Sequence, residues 1–289
     1  MGESKFAGPE LEKLEREFFS SIILQNNSSK MTFSDRLPDL HLFLSNYLEK
    51  ACINTVDLLD VGCSSGISTT EFVVHLRGRG ITVRAVASDL TLYAYLVKLC
   101  PMFYALTDVS GFPLQYDLFG YGLRPWCRKR YKFLGGELVT SIMRAAYKAL
   151  SPKVLTAIKS GKGTSTNAER LLLLSPTLLA QSGISFVEDD LEGVTPPSLR
   201  NRFDLIHAAN IINLNYFSKT RITKIIDNLR ERLKGPGSLL LVCRTQNNGR
   251  NDATLFCLDE TGHFQTVSRL NQGSEIEELV VTFAYASNG

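Results

Sequence analysis

The chain has 289 residues, of which 44% are hydrophobic and 21% charged, with a net charge of +3. That balance excludes a disordered polyelectrolyte, and the length suffices for one sizeable α/β domain plus an accessory lobe. The six cysteines, at 52, 63, 100, 127, 243 and 257, stand singly, without CxxC pairs or histidines at zinc-ligand spacing. Free thiols in a reducing compartment are expected, rather than a disulfide scaffold or a zinc site.

Residues 1–19 are charged throughout and lack the apolar core of a secretory signal, and Phe6 breaks the myristoylation pattern. The longest apolar stretch, 171–180, is interrupted by Ser175 and Pro176 and is too short to span a bilayer. A soluble, cytoplasmic protein is the expectation.

Helical patterning over 10–50 predicts a helical N-terminal cap within residues 1–55. The apolar segment 56–61 (VDLLDV) reads as a strand, the following GCSSG as a turn, and TTEFVVHL as a helix with Thr69, Phe72, Val73 and Leu76 on one side. ITVRAVASD reads as a second strand, and TLYAYLVKLC (91–100) as the start of a second helix that Pro101 ends or kinks. Further on, GISFVED, RFDLIHAAN and GSLLLVCR are three more buried strands. A helix over 218–234 separates the last two, with Ile222, Ile225, Ile226, Leu229 and Leu233 on one face. ATLFCLD-ETG-HFQTVSRL has the form of a hairpin, and EELVVTFA that of a final strand. The alternation predicts an α/β fold: a Rossmann-like, mostly parallel seven-stranded sheet with helices on both faces, over residues 56–289.

Residues 101–182 interrupt that rhythm and are too many for a structureless loop. They contain two helical patterns, GELVTSIMRAAYKAL and NAERLLLLSPTLLAQ, so a largely helical insertion is expected. Positions 111–180 hold eleven Lys/Arg against three Asp/Glu, a local net of +8 that leaves −5 for the rest of the chain. The insertion is therefore a basic lobe on a mildly acidic body. Its early part interleaves aromatics with Arg124, Arg128, Lys129, Arg130 and Lys132. Such a segment suits a lid over a small anionic or aromatic substrate, a nucleic-acid contact or an anionic membrane surface, or is simply a solvated lobe. The lid is favoured, because the charge is dispersed and no nucleic-acid motif accompanies it.

The most informative segment is LLDVGCSSG. A strand ends at Asp60, and Gly62 and Gly66 frame a tight turn where the backbone can approach a ligand without an intervening Cβ. The helix that follows presents unpaired N–H groups to a ligand carboxylate. Asp89 ends the next strand, placed to accept both hydroxyls of a ribose. The spacing is not GxGxxG. Cys63, Ser64 and Ser65 occupy the bend where a dinucleotide fold needs a second glycine, so a ligand without pyrophosphate is favoured over a nicotinamide dinucleotide.

These segments resemble the class I S-adenosylmethionine-dependent methyltransferases over residues 56–100 and 183–245. LLDVGCSSG is similar to their first motif, SDL with Asp89 and Leu90 to their ribose-binding segment, and FVEDDL to the adenine-contacting one. The resemblance implies Asp190 with Leu191, or Asp189, at the adenine. It implies Cys63 and Ser64 lining the cofactor through their backbones, and His207 or Ala208 behind its reactive end. FDLIHAANIINLNYF followed by LKGPGSLLLV is most similar to the chemotaxis-receptor glutamate methyltransferases. The insertion before the third strand, and the lack of a basic receptor-binding helix at the N-terminus, depart from that subfamily.

Methyl transfer by direct displacement needs alignment and exclusion of water more than a catalytic triad. The four histidines are dispersed, and no metal site is expected. His207 ends the fourth strand, at the carboxyl edge where such sheets bind ligands, and is either a general base or a residue packed beneath the cofactor. Asn210, Asn213 and Tyr216 follow on the same loop. An amide there orients a substrate group or bonds the local backbone. The expectation is methyl transfer from S-adenosylmethionine to a hydroxyl, carboxyl or amine of a small, anionic or partly aromatic molecule. An RNA or protein acceptor, or a non-catalytic binding protein of the same fold, is the alternative.

Overall fold

The computed structural model describes residues 13–15, 17–19, 22, 30, 34–123, 136–160 and 168–282. In chain order the elements are α1 (Pro38–Lys50), β1 (Thr55–Val61), α2 (Ile67–Gly78), β2 (Thr82–Asp89), β3 (Tyr93–Cys100), β4 (Phe103–Thr107), β5 (Pro113–Leu118) and β6 (Tyr121–Leu123). There follow α3 (Gly136–Ser160), β7 (Ala168–Leu172), α4 (Pro176–Leu179), β8 (Ile184–Glu188), β9 (Leu205–Ala209), α5 (Lys219–Arg232), β10 (Leu239–Thr245), β11 (Asn251–Leu258), β12 (Phe264–Leu270) and α6 (Glu277–Thr282). The chain divides into two compact units, one of Phe33–Leu90 with Pro176–Gly289, the other of Met1–Thr32 with Thr91–Ser175.

The first unit is a Rossmann-like sheet of seven strands in the order β12-β11-β10-β9-β1-β2-β8. β8, β2, β1, β9 and β10 run parallel, while β11 and β12 complete the sheet as antiparallel hairpin strands. Period-two alternation splits each central strand between two cores. Leu58, Leu205, Leu239 and Leu241 pack with Leu40, Leu44 and Leu48 of α1 and Phe72, Val73 and Leu76 of α2. Leu59, Ile206, Leu240 and Val242 pack on the other face, against Ile222, Ile225, Ile226 and Leu229 of α5 and Val280 of α6. Both faces are covered, which is why these strands read as almost unbroken hydrophobic runs.

Helix α1 starts with Pro38, where the missing N–H removes nothing from the helix. Helix α5 begins at Ser218, whose hydroxyl accepts from the Arg221 N–H at 3.4 Å, and ends with Arg230 and Arg232, favourable at a helix C-terminus.

The second unit carries a five-stranded antiparallel sheet, β6-β5-β4-β3-β7. Val97, Leu99, Ala105 and Tyr116 on one side pack against Val154 and Ile158 of α3, and Ala94, Leu106 and Leu114 pack with Phe19 and Ile22. The expected insertion helix is present as α3, running 25 residues. The basic cluster at 124–132 lies outside the described residues.

Three local expectations are corrected. Residues 91–100 form no helix: Ala94, Val97 and Leu99 are buried between exposed or half-buried neighbours, and strand β3 pairs with β4 and β7. Its β-branched and aromatic residues suit that half-buried surface, and the chain turns at Pro101 and Met102, the latter at φ 62°. The helical pattern of 167–181 splits into β7 and the one-turn α4, because Pro176 starts a helix more readily than it continues one. Residues 277–282 are α6 rather than a strand. β12 already forms that sheet edge, and Glu277 and Glu278 favour the first turn of a helix. Among the described residues no helix is long and apolar enough to cross a membrane.

Candidate functional site

From β1 the chain proceeds to β2 and β8 on one side, then crosses to β9 and β10 on the other. The strand order therefore reverses between β1 and β9, and in open α/β sheets the carboxyl ends of strands at such a point form the ligand crevice. The turn 62–66, Asp89 and the 210–216 loop all lie at that end.

Asp60 is the centre of this region. The residue is 4% exposed, and its carboxylate accepts a hydrogen bond from the Thr69 hydroxyl of α2 and one from His207 Nδ1 of β9 at 2.7 Å. A buried charge is tolerated when its lone pairs are satisfied, and here two elements supply the donors. The bond fixes the tautomer with the proton on Nδ1, leaving the buried Nε2 with no hydrogen-bond partner among the described residues. His207 is 1% exposed and lies 4.9 Å from the Phe72 ring.

The loop beyond Asp60 takes three left-handed residues, Gly62 at φ 70°, Ser64 at 59° and Gly66 at 82°. Gly62 and Gly66 are also required by packing. An added Cβ would lie 2.8 Å from Ile211 at the first and 2.5 Å from Leu178 at the second. Ser64 N–H donates to the Asp89 carboxylate at 2.7 Å, and Cys63 N–H to the Ser88 carbonyl at 3.0 Å, so the loop is pinned to the end of β2. Gly66 caps α2 without a side-chain acceptor, and the fully buried Ser65 hydroxyl has no hydrogen-bond partner among the described residues. Cys63 is a small buried loop residue.

The acids near the expected adenine position separate clearly. Asp189 is buried in a bidentate pair with Arg232, itself 0% exposed, while Asp190 is exposed and accepts from the Glu192 N–H at 3.0 Å. Leu191 joins the α5-side core, whereas Leu90, next to Asp89, is 52% exposed. The Asp189 N–H donates to the Asp89 carbonyl, which brings the ends of β2 and β8 together.

On the other side of the crevice, Asn210 sits at φ 62° with its amide committed. Oδ1 accepts from Thr245 N–H at 2.7 Å and Nδ2 donates to Thr245 Oγ1 at 3.1 Å. Asn213 Oδ1 accepts from the N–H groups of Asn215 and Tyr216. Tyr216 is 49% exposed. Among the described residues no cluster of His, Cys, Asp and Glu could hold a metal ion. A cavity of about 460 Å³ lined by Arg200, Arg230, Leu258 and Glu260 lies at the amino ends of the parallel strands, away from this crevice.

Two residues central to this geometry escape a sequence reading. Thr69 had only a place on the apolar stripe of its helix. Arg232 falls three residues after Leu229 on the buried stripe of α5, and a cation at that spacing is a signal for a buried partner.

The stack beneath the loop continues from Phe72 to His41, with ring centroids 5.2 Å apart, and from His41 to His75 at 5.9 Å. Burial, with the neighbouring His207 and His75, pushes His41 down to about 3.

No protein-family profile and no curated protein matches the chain. Among solved structures it is similar to the methyltransferase domain of a citrinin polyketide synthase at 12% identity, covering 71% of this chain and 35% of that one, with a TM-score of 0.33. It is also similar to the Burkholderia thailandensis 1,6-didemethyltoxoflavin-N1-methyltransferase at 12% identity, over 96% of this chain and 80% of that one, with a TM-score of 0.37. A Rhodobacter sphaeroides chain described as a Zn-dependent alcohol dehydrogenase matches at 11% identity, over 82% and 54% respectively, with a TM-score of 0.34. The chain thus spans about a third of the length of the polyketide synthase chain. At these TM-scores the likeness assigns neither family nor activity.

Asp189→Ala strands Arg232 as a buried unpaired charge and should cost about 3–5 kcal/mol in urea unfolding, against less than about 1 kcal/mol for Asp190→Ala. Equal losses would contradict the separation of the two acids. His41 stays neutral in the folded chain down to pH about 3, whereas in the unfolded chain it binds a proton near its ordinary value of 6.5. Its contribution is therefore fully present above pH 6.5 and is lost as pH falls towards 3, with a slope of up to about 1.4 kcal/mol per pH unit. Unfolding midpoints of His41→Phe should fall less steeply over that window than those of the wild type.

Proposed function

We propose that the chain is an S-adenosylmethionine-dependent methyltransferase acting on a hydroxyl, carboxyl or amine of a small molecule. The observation that carries this reading is the glycine-framed turn at 62–66, pinned through Ser64 N–H to Asp89 at the switch point of a Rossmann-like sheet. The residues present fit the cofactor. The uncapped start of α2 and the unpartnered Ser65 hydroxyl would meet its amino-acid end. Asp89, Leu90 and the exposed Asp190 would hold its nucleoside. A nicotinamide dinucleotide is disfavoured by Ser64, whose side chain stands at a left-handed bend where pyrophosphate needs glycine.

When bound, S-adenosylmethionine supplies an activated methyl sulfonium. The chain then has to align the acceptor and exclude water. Buried and bonded to Asp60, His207 serves as a positioning residue that holds β9 against β1. Asn210 acts on the loop through Thr245, and Tyr216 is the exposed side chain on the acceptor side.

Calorimetric titration with S-adenosylmethionine and S-adenosylhomocysteine tests the reading. Saturable binding is expected, weakened roughly 10- to 100-fold by Asp89→Ala through the loss of charge-assisted hydrogen bonds. Absence of binding by the folded protein would overturn it in favour of a non-catalytic role.

A further inference from the structure

Arg36 lies just ahead of α1, and none of the site residues recognisable in the sequence pointed to it. The residue is half-buried, and among the described residues its buried Nε has no hydrogen-bond partner. On Asp39, three residues further on, Oδ1 accepts from Leu40 N–H at 2.9 Å and from Asn251 Nδ2 at 2.6 Å. Withdrawing a guanidinium donor from water without a partner costs free energy, which an arriving anion would recover.

The position of Arg36 is set by a relay of hydrogen bonds. Its carbonyl accepts from Asn251 Nδ2 at 3.1 Å, Asn251 Oδ1 accepts from Thr245 Oγ1 at 2.7 Å, and Thr245 is doubly bonded to Asn210. Asn210 thereby ties the residue to the carboxyl ends of β9 and β10. The guanidinium lies within electrostatic reach of Tyr216 and of Cys243 on β10, and burial lowers its proton affinity. Asp89 and Asp190, the proposed nucleoside contacts, stand across the switch point on β2 and after β8.

We propose that Arg36 is the specificity residue of the acceptor subsite and receives the carboxylate of a small organic acid beside Tyr216. This rests on the methyl-transfer reading for the name of the ligand, though not for the anion site itself. The planar fork of arginine matches a carboxylate with two parallel hydrogen bonds, whereas a lysine offers only a point charge.

The test is the Nε–H resonance of Arg36 in the full chain, assigned by its loss in Arg36→Lys. It is titrated with sodium benzoate and with benzamide as the neutral match. A saturable shift with benzoate, at least tenfold weaker with benzamide, is expected. No shift, or an equal response to both, overturns the proposal. S-adenosylhomocysteine and methylthioadenosine identify the source of the carboxylate. A shift with the former that the latter does not reproduce assigns Arg36 to the amino-acid end of the cofactor, and overturns the acceptor role. A benzoate shift in a protein that binds no S-adenosylhomocysteine supports the anion site while the cofactor reading fails.

Discussion

The buried carboxylate of Asp60 is the constraint on which the site depends. It stands at the end of β1, where the strand order reverses, and a charge there must be satisfied from within. Thr69 satisfies one oxygen from the first turn of α2 and His207 the other from β9. Those two bonds join the three elements that border the crevice. The turn between β1 and α2 has only five residues to make the connection, and it does so with left-handed backbone at Gly62, Ser64 and Gly66. The packing of Ile211 and Leu178 against the two glycines then closes off side chains at those positions.

Polar residues at the carboxyl edge divide into those that build the crevice and those that face it. Asp60, Asp189, Asn210 and His207 are each paired internally. Asp190 and Tyr216 remain exposed, as does the apolar Leu90. Such a division suits methyl transfer, in which the protein's main work is to hold the acceptor and cofactor in line rather than to supply reactive groups.

The parallel core was legible because its strands are buried on both faces and its helices carry apolar stripes at 3.6-residue spacing. LLDVGCSSG and the acid ending β2 were legible for a different reason: a tight turn after a strand restricts residue type. Residues 91–100 misled because TLYAYLVKLC fits both periods, and only pairing with β4 and β7 decides between them. EELVVTFA misled because β-branched residues suggest a strand, whereas the available sheet edge was already taken by β12. At the site, residue type alone did not reveal which acid was already paired. Asp189 and Asp190 are adjacent in sequence, and the distinction comes from Arg232, 43 residues away from Asp189. Arg36 carried no local signal, since its place is fixed by Asn251, 215 positions further on.

The central claim is that the adenosyl cofactor binds at the switch point between β1 and β9. Amide hydrogen exchange with and without S-adenosylmethionine tests it most directly, because protection reports the position of the ligand whether or not turnover occurs. The account predicts slowed exchange confined to the 62–70 turn and helix start, to 89–91, and to 189–193. Slowed exchange centred instead on 200–201 and 258–262, at the amino ends of the parallel strands, would contradict it.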